Sequence, residues 1–194
     1  MNAADLEDAL RPVADALETL GVAYFIAGSL ASATHGVPRA SLDVDLVADL
    51  QTQHVEPLVA LLADAYYVSE PLVRTAVRDR RSFNLIHLTS MFKVDVFVSK
   101  GRPVDREAQA RARLEVIGQE PGARRYPVES AEDTVLSKLE WFRAGGEVSE
   151  RQWLDVVGIL RTQAHGLDEA YLERWAATIG VGDLFERAVA AARP

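Results

Sequence analysis

The segment Leu42-Asp43-Val44-Asp45-Leu46-Val47 constrains the fold of this chain more than any other. Alternate residues of a β-strand point to opposite faces, so Asp43 and Asp45 share one face while Val44 and Leu46 share the other. Aspartate is depleted in strands, and carboxylates crowded on one face repel each other. A strand of this kind needs a core against its Val and Leu side and a counter-charge against its acidic side. Such local violations of structural consistency are where function is expected. The simplest compensation is a hard divalent cation, Mg2+ or Mn2+, held by carboxylate oxygens.

The interruption recurs in Lys93-Val94-Asp95-Val96-Phe97-Val98, where Asp95 points away from Val94 and Val96. If the two strands are neighbours, three carboxylates converge. Read singly, each acid has a plainer explanation: Asp43 can pair with Arg39, and Asp95 with Lys93 or an arginine of the basic stretch. Upstream, the apolar run Val22–Ala27 ends at Gly28-Ser29, before a short helix over Leu30–Thr34. Glycine allows a ligand close to the backbone, and a helix N-terminus favours anions. No Walker A motif and no G-x-G-x-x-G follows this strand, which disfavours P-loop and Rossmann sites.

Around these motifs the pattern mixes helices and strands. Leu6–Leu20 has helical periodicity, with Pro12 marking a kink or a second start. A helix is expected over Thr52–Ala63, and strands over Ser82–Leu88 and Phe92–Val98 form a hairpin across Thr89-Ser90-Met91. Residues 101–128 are rich in Gly, Pro and Arg and read as a connection with one short helix and an edge strand. From Ser130 onward helices dominate: one holds Val135, Leu136, Leu139 and Phe142, the next Trp153, Leu154, Val157 and Leu160. Two more fit Asp168–Ile179 and Gly182–Ala192. The expected fold is α+β, with a mixed or antiparallel sheet flanked by helices in residues 1–100. A connecting segment and a small helical region follow in 101–194.

Composition narrows the chemistry. The chain has 29 acidic and 21 basic residues, a net charge of −8, which argues against a protein that coats nucleic acid. A basic run at Arg74, Arg78, Arg80 and Arg81 remains as a local track for an anion such as RNA. Acids at Glu132, Glu140 and Glu147 would instead suit a cationic molecule. The chain has no cysteine, so disulfides, thiolate metal sites and cysteine nucleophiles are excluded. His35, His54, His87 and His165 lack metal-ligand spacing and read as structural or surface residues. Early acids at Asp5, Glu7 and Asp8 are unlike a signal peptide, and no apolar run is long enough for a membrane span. A soluble cytoplasmic protein is expected.

Taken together, Ala27-Gly28-Ser29-Leu30-Ala31, Arg39-Ala40-Ser41-Leu42-Asp43-Val44-Asp45-Leu46 and Val94-Asp95-Val96 resemble the nucleotidyltransferase superfamily with a DNA polymerase β-type palm. The likeness is greatest to small bacterial members of the AbiEii and MenT type. The resemblance implies Asp43, Asp45 and Asp95 as metal ligands and catalytic carboxylates. It implies nucleotide contacts from Gly28, Ser29, Arg39 and Ser41. Lys138 in Ser137-Lys138-Leu139-Glu140 and Asp155 in Trp153-Leu154-Asp155-Val156 match further nucleotide-contacting positions of the toxin-like members. The implied reaction moves a nucleotide from a nucleoside triphosphate to an acceptor (tRNA or other RNA, a protein or a small molecule), with a cognate antitoxin as a possible partner. Transfer to an aminoglycoside-type acceptor, and non-catalytic binding of nucleotide or partner, are the alternatives.

Overall fold

The computed structural model describes residues 3–37, 43–117 and 124–193. The chain divides into two compact units, one comprising Met1–Ser29 and Ala40–Val128, the other Leu30–Arg39 and Glu129–Pro194.

Among the described residues the first unit holds a seven-stranded mixed sheet. Its strands are β1 (Tyr24–Ala27), β2 (Asp43–Ala48), β3 (Tyr66–Tyr67), β4 (Ser82–His87), β5 (Lys93–Val98), β6 (Arg113–Val116) and β7 (Arg125–Val128), in the order β3-β4-β5-β2-β1-β7-β6. β2 runs parallel to β5 and antiparallel to β1; β4 and β5 form the expected antiparallel hairpin. Both acidic strands are central, and both alternate buried and half-exposed residues along their whole length.

That alternation fixes the register. Val44, Leu46, Val94 and Val96 are at most 1% exposed. Slipping β2 by one residue would expose Val44 and Leu46, at about 1.5–3 kcal/mol each, and drive two carboxylates inward. The cost exceeds any gain from relieving charge repulsion, so the acids stay on the open face.

Helix α1 (Ala3–Thr19) lines Leu10, Val13, Ala14 and Leu17 against the core. It runs through Pro12 as one helix, so of the kink and the second start expected there, the second start does not occur. The buried stripe on both sides of Pro12 outweighs the lost backbone hydrogen bond. A 3-10 turn (Thr52–His54) leads into α3 (Val55–Leu62), which follows α2 (Gly28–His35) in chain order. Helix α4 (Glu70–Asp79), which the basic run concealed, starts with Pro71 in its first turn and buries Val73, Ala76 and Val77. Helix α5 (Pro103–Arg111) precedes β6.

The second unit contains the end of α2 and helices α6 (Ala131–Ala144), α7 (Glu150–Thr162), α8 (Glu169–Thr178) and α9 (Gly182–Ala192). Three begin with side-chain caps: Ser130 Oγ accepts from Asp133 N–H, Ser149 Oγ from Gln152 N–H, and Asp168 Oδ1 from Tyr171 N–H. No helix among the described residues is long and apolar enough to cross a membrane.

Candidate active site

The paired strands bring the acids together. Asp45 lies beside Asp95 in the parallel β2–β5 ladder, and Asp43 lies beside Lys93. Since Asp43, Asp45, Lys93 and Asp95 alternate with buried residues, they occupy one half-open face of the sheet. Lys93 Nζ sits 2.6 Å from Asp95 Oδ2. The Asp95 hydrogen bond, with attraction from Asp95, Asp43 and Asp45, raises the Lys93 pKa against the opposing effect of burial. The plainer pairing of Asp95 is therefore realised, and Lys93 is a site residue that the motif did not include. Its position i−2 from Asp95 was the signal.

Gly28 closes one side of this face. Ala27 stands opposite Asp45 in the β1–β2 register, and the next residue turns into α2 with φ +61°. A Cβ at position 28 would lie 1.9 Å from Asp45 Oδ2 and 2.6 Å from its Cγ. Glycine is thus required twice, by the left-handed backbone and by the carboxylate pressed against it. Ser29, next in the chain, is 8% exposed.

Among the described residues no three histidine, cysteine, aspartate or glutamate side chains stand close enough to hold a metal ion as they are. The donor chemistry nevertheless fits a hard divalent cation. Asp43, Asp45 and Asp95 share one face, Asp45 and Asp95 at matched register, and a cationic ammonium already lies in their field.

The remaining sequence-picked residues fall elsewhere. Arg39 and Ser41 lie outside the described residues. Lys138 and Asp155 lie in the helical unit, where Lys138 Nζ is 2.8 Å from Asp155 Oδ2 and donates to Gln152 Oε1 at 3.2 Å. Both side chains are nearly inaccessible, at 7% and 11% exposure. Beside them Glu129, buried and close to Asp133, has its carboxyl pushed up to about 8, chiefly by loss of solvation. Ser137 Oγ donates to Glu129 Oε2 at 3.2 Å. His35, in the same unit, meets the Glu129 carbonyl oxygen at 2.6 Å through Nε2, a structural role.

The two candidate charge tracks are largely consumed internally. Glu132 is buried and accepts from the Asp168 backbone N–H, and Glu147 pairs with Arg143 and Arg187. On the basic side Arg74 pairs with Glu70, Arg78 with Asp79, and Arg80 donates to the Ser99 carbonyl at 2.8 Å. Arg81 instead lines a cleft of about 320 Å³ beside Asp95, between α4 and strands β3 and β4.

No family model matches the chain, and no curated protein matches it. Solved structures do. The antibiotic-resistance factor ANT(2'')-Ia is similar over 96% of this chain and 97% of its own, with a TM-score of 0.56 and 15% identity. Its complex with adenylyl-2''-tobramycin gives a TM-score of 0.54 at 14% identity, over 90% of this chain and 97% of that one. An antigenic nucleotidyltransferase-like protein from Paracoccidioides brasiliensis gives 0.55 at 15% identity, over 98% and 94%. The class this architecture defines is the nucleotidyltransferase fold, and the chain has that fold along nearly its whole length.

Proposed function

We propose that the protein is a divalent-cation-dependent nucleotidyltransferase that moves a nucleoside monophosphate from a nucleoside triphosphate to an acceptor hydroxyl. The observation that carries this reading is the placement of Asp43, Asp45 and Asp95 on one half-open sheet face, against the Gly28 turn, within a nucleotidyltransferase fold. ATP is the triphosphate favoured by the adenylylated product bound to ANT(2'')-Ia.

Asp43 and Asp45 would hold Mg2+ or Mn2+, with Asp95 as third ligand. A divalent ion there would neutralise phosphate charge and favour departure of pyrophosphate. Gly28 and Ser29 would cradle the triphosphate, since the turn keeps side-chain bulk away and opens a helix. Arg39 and Ser41 are assigned to the nucleotide on the motif likeness. In the transfer, an acceptor oxygen forms a bond to the α-phosphorus while the α–β anhydride bond breaks and pyrophosphate leaves. Asp95 accepts the hydroxyl proton or positions the water that does. Positioning and charge neutralisation are the protein's contribution. A cytoplasmic setting and an antitoxin partner rest on the sequence reading alone and enter no step.

The test is pyrophosphate release from each NTP with Mg2+ and an acceptor panel of tRNA, protein and small hydroxyl compounds. Wild-type turnover that disappears in Asp43→Asn/Asp45→Asn supports the assignment. Undiminished turnover in that variant overturns it.

A further inference from the structure

The cleft beside Asp95 opens on the catalytic face. Asn84 stands directly opposite Asp95 in the β4–β5 register, so its side chain shares the face of the carboxylates. Ser82, two residues away, shares it as well. Tyr67 of β3 and Leu72 of α4 form the walls and are 65% and 64% exposed. The volume, about 320 Å³, is at the small end of ligand sites and matches one ring-sized unit rather than a polymer.

The charges in the lining are asymmetric. Asp95 is its one acid and is already neutralised by Lys93. Arg81 is its one base; among the described residues its side chain makes no hydrogen bond or ion pair, and it meets Asp79 only through longer-range attraction. The nearby Asp79 is taken by Arg78, which donates to both carboxylate oxygens at 2.7 and 3.1 Å. A guanidinium left open beside hydroxyl and amide groups, with an aromatic wall, recognises an anion on a hydroxylated molecule. A polycation finds no uncompensated acid there.

Resting on the transferase reading above, we propose that this cleft is the acceptor subsite and that it selects a small hydroxylated anion of the sugar-phosphate type. Arg81 binds the phosphate or carboxylate, Tyr67 and Leu72 flank the ring, and Asn84 directs a hydroxyl toward Asp95. Arg81 then sets acceptor choice without touching the nucleotide.

The experiment follows backbone amide resonances of the full chain during titration with ribose 5-phosphate, with ribose and glucosamine as charge controls. The expected result is saturable shifts at Tyr67, Ser82 and Asn84 with ribose 5-phosphate and much weaker ones with either control. Arg81→Gln should raise the Kd at least tenfold, and Arg81→Lys should restore part of it. Glucosamine binding as tightly as ribose 5-phosphate, a Kd unchanged within twofold in Arg81→Gln, or no saturable shift at these amides overturns the proposal. Addition of Mg2+ and a non-hydrolysable NTP to the same samples reports through the Gly28 and Asp45 amides. Their response with a silent cleft defeats the acceptor proposal alone. Their silence defeats the transferase reading, while the sugar-phosphate titration still decides what the cleft binds.

Discussion

Replacing Gly28 by alanine tests the link between backbone and site most sharply. The new Cβ would fall 1.9 Å from Asp45 Oδ2, 2.6 Å from Cγ and 2.8 Å from Cβ, so the carboxylate has to leave its position. The residue must also hold φ +61°, which costs a non-glycine residue about 1–2 kcal/mol. Moving Asp45 off its rotamer adds about 0.5–1.5 kcal/mol. The sum, about 2–3 kcal/mol, corresponds to a Tm loss of about 4–12 °C for a chain of this size. Thermal unfolding by circular dichroism reads the stability, and calorimetric titration of ATP with Mg2+ reads the site. Binding should fall at least tenfold, because the displaced carboxylate is the proposed metal ligand. In an Asp45→Ala background the penalty of the same substitution should shrink without vanishing, since Oδ2 and Cγ are gone but Cβ remains. A Gly28→Ala variant with wild-type Tm and wild-type ATP affinity would refute the reasoning.

Further predictions concern the helical unit and the charge balance of the sheet. Glu129 is protonated in the fold up to about pH 8 but ionises near 4.5 when unfolded, so unfolding releases a proton between those values. Stability should therefore fall as pH rises from about 5 to 8, by at most about 1.4 kcal/mol per pH unit, and level off above. Glu129→Gln should lose that slope in urea unfolding series, and parallel profiles for the two proteins would exclude this origin. Lys138→Met leaves Asp155 buried without its cation and should destabilise by about 3–5 kcal/mol, with Lys138→Met/Asp155→Leu recovering most of it in the same assay. Asp43→Asn/Asp45→Asn relieves repulsion on β2, so its midpoint should equal or slightly exceed the wild type; a loss of several kcal/mol would mean the acids hold the fold together.

The parts of the fold that could be read from sequence are those whose side chains obey one period. β2 and β5 alternate buried and half-exposed residues over their full lengths, and Asp43, Asp45 and Asp95 take half-exposed positions in that alternation. The later helices were legible from their apolar spacing, and Ser130, Ser149 and Asp168 cap their first turns. The Gly28 turn was legible as a glycine, but its contact with Asp45 needed the β1–β2 register. Helix α4 has a short apolar stripe, Val73, Ala76 and Val77 at i, i+3, i+4, set among charged residues, so its period is weak in the sequence. β3 has two residues, too few for any period, and exists through pairing with β4. The cleft could not be foreseen, since α4 and β3 build its walls. The parallel pairing of β1 with β7 joins Ile26 to Val128 across more than half the chain, beyond any local signal.

Calorimetric titration of ATP into the protein, with Mg2+ and with EDTA, against Asp43→Asn/Asp45→Asn, tests the central claim most directly. The account predicts saturable binding to the wild type that requires the metal and vanishes in a variant of unchanged stability. Binding that persists in the variant or in EDTA, or no binding of any NTP to the wild type, would contradict it.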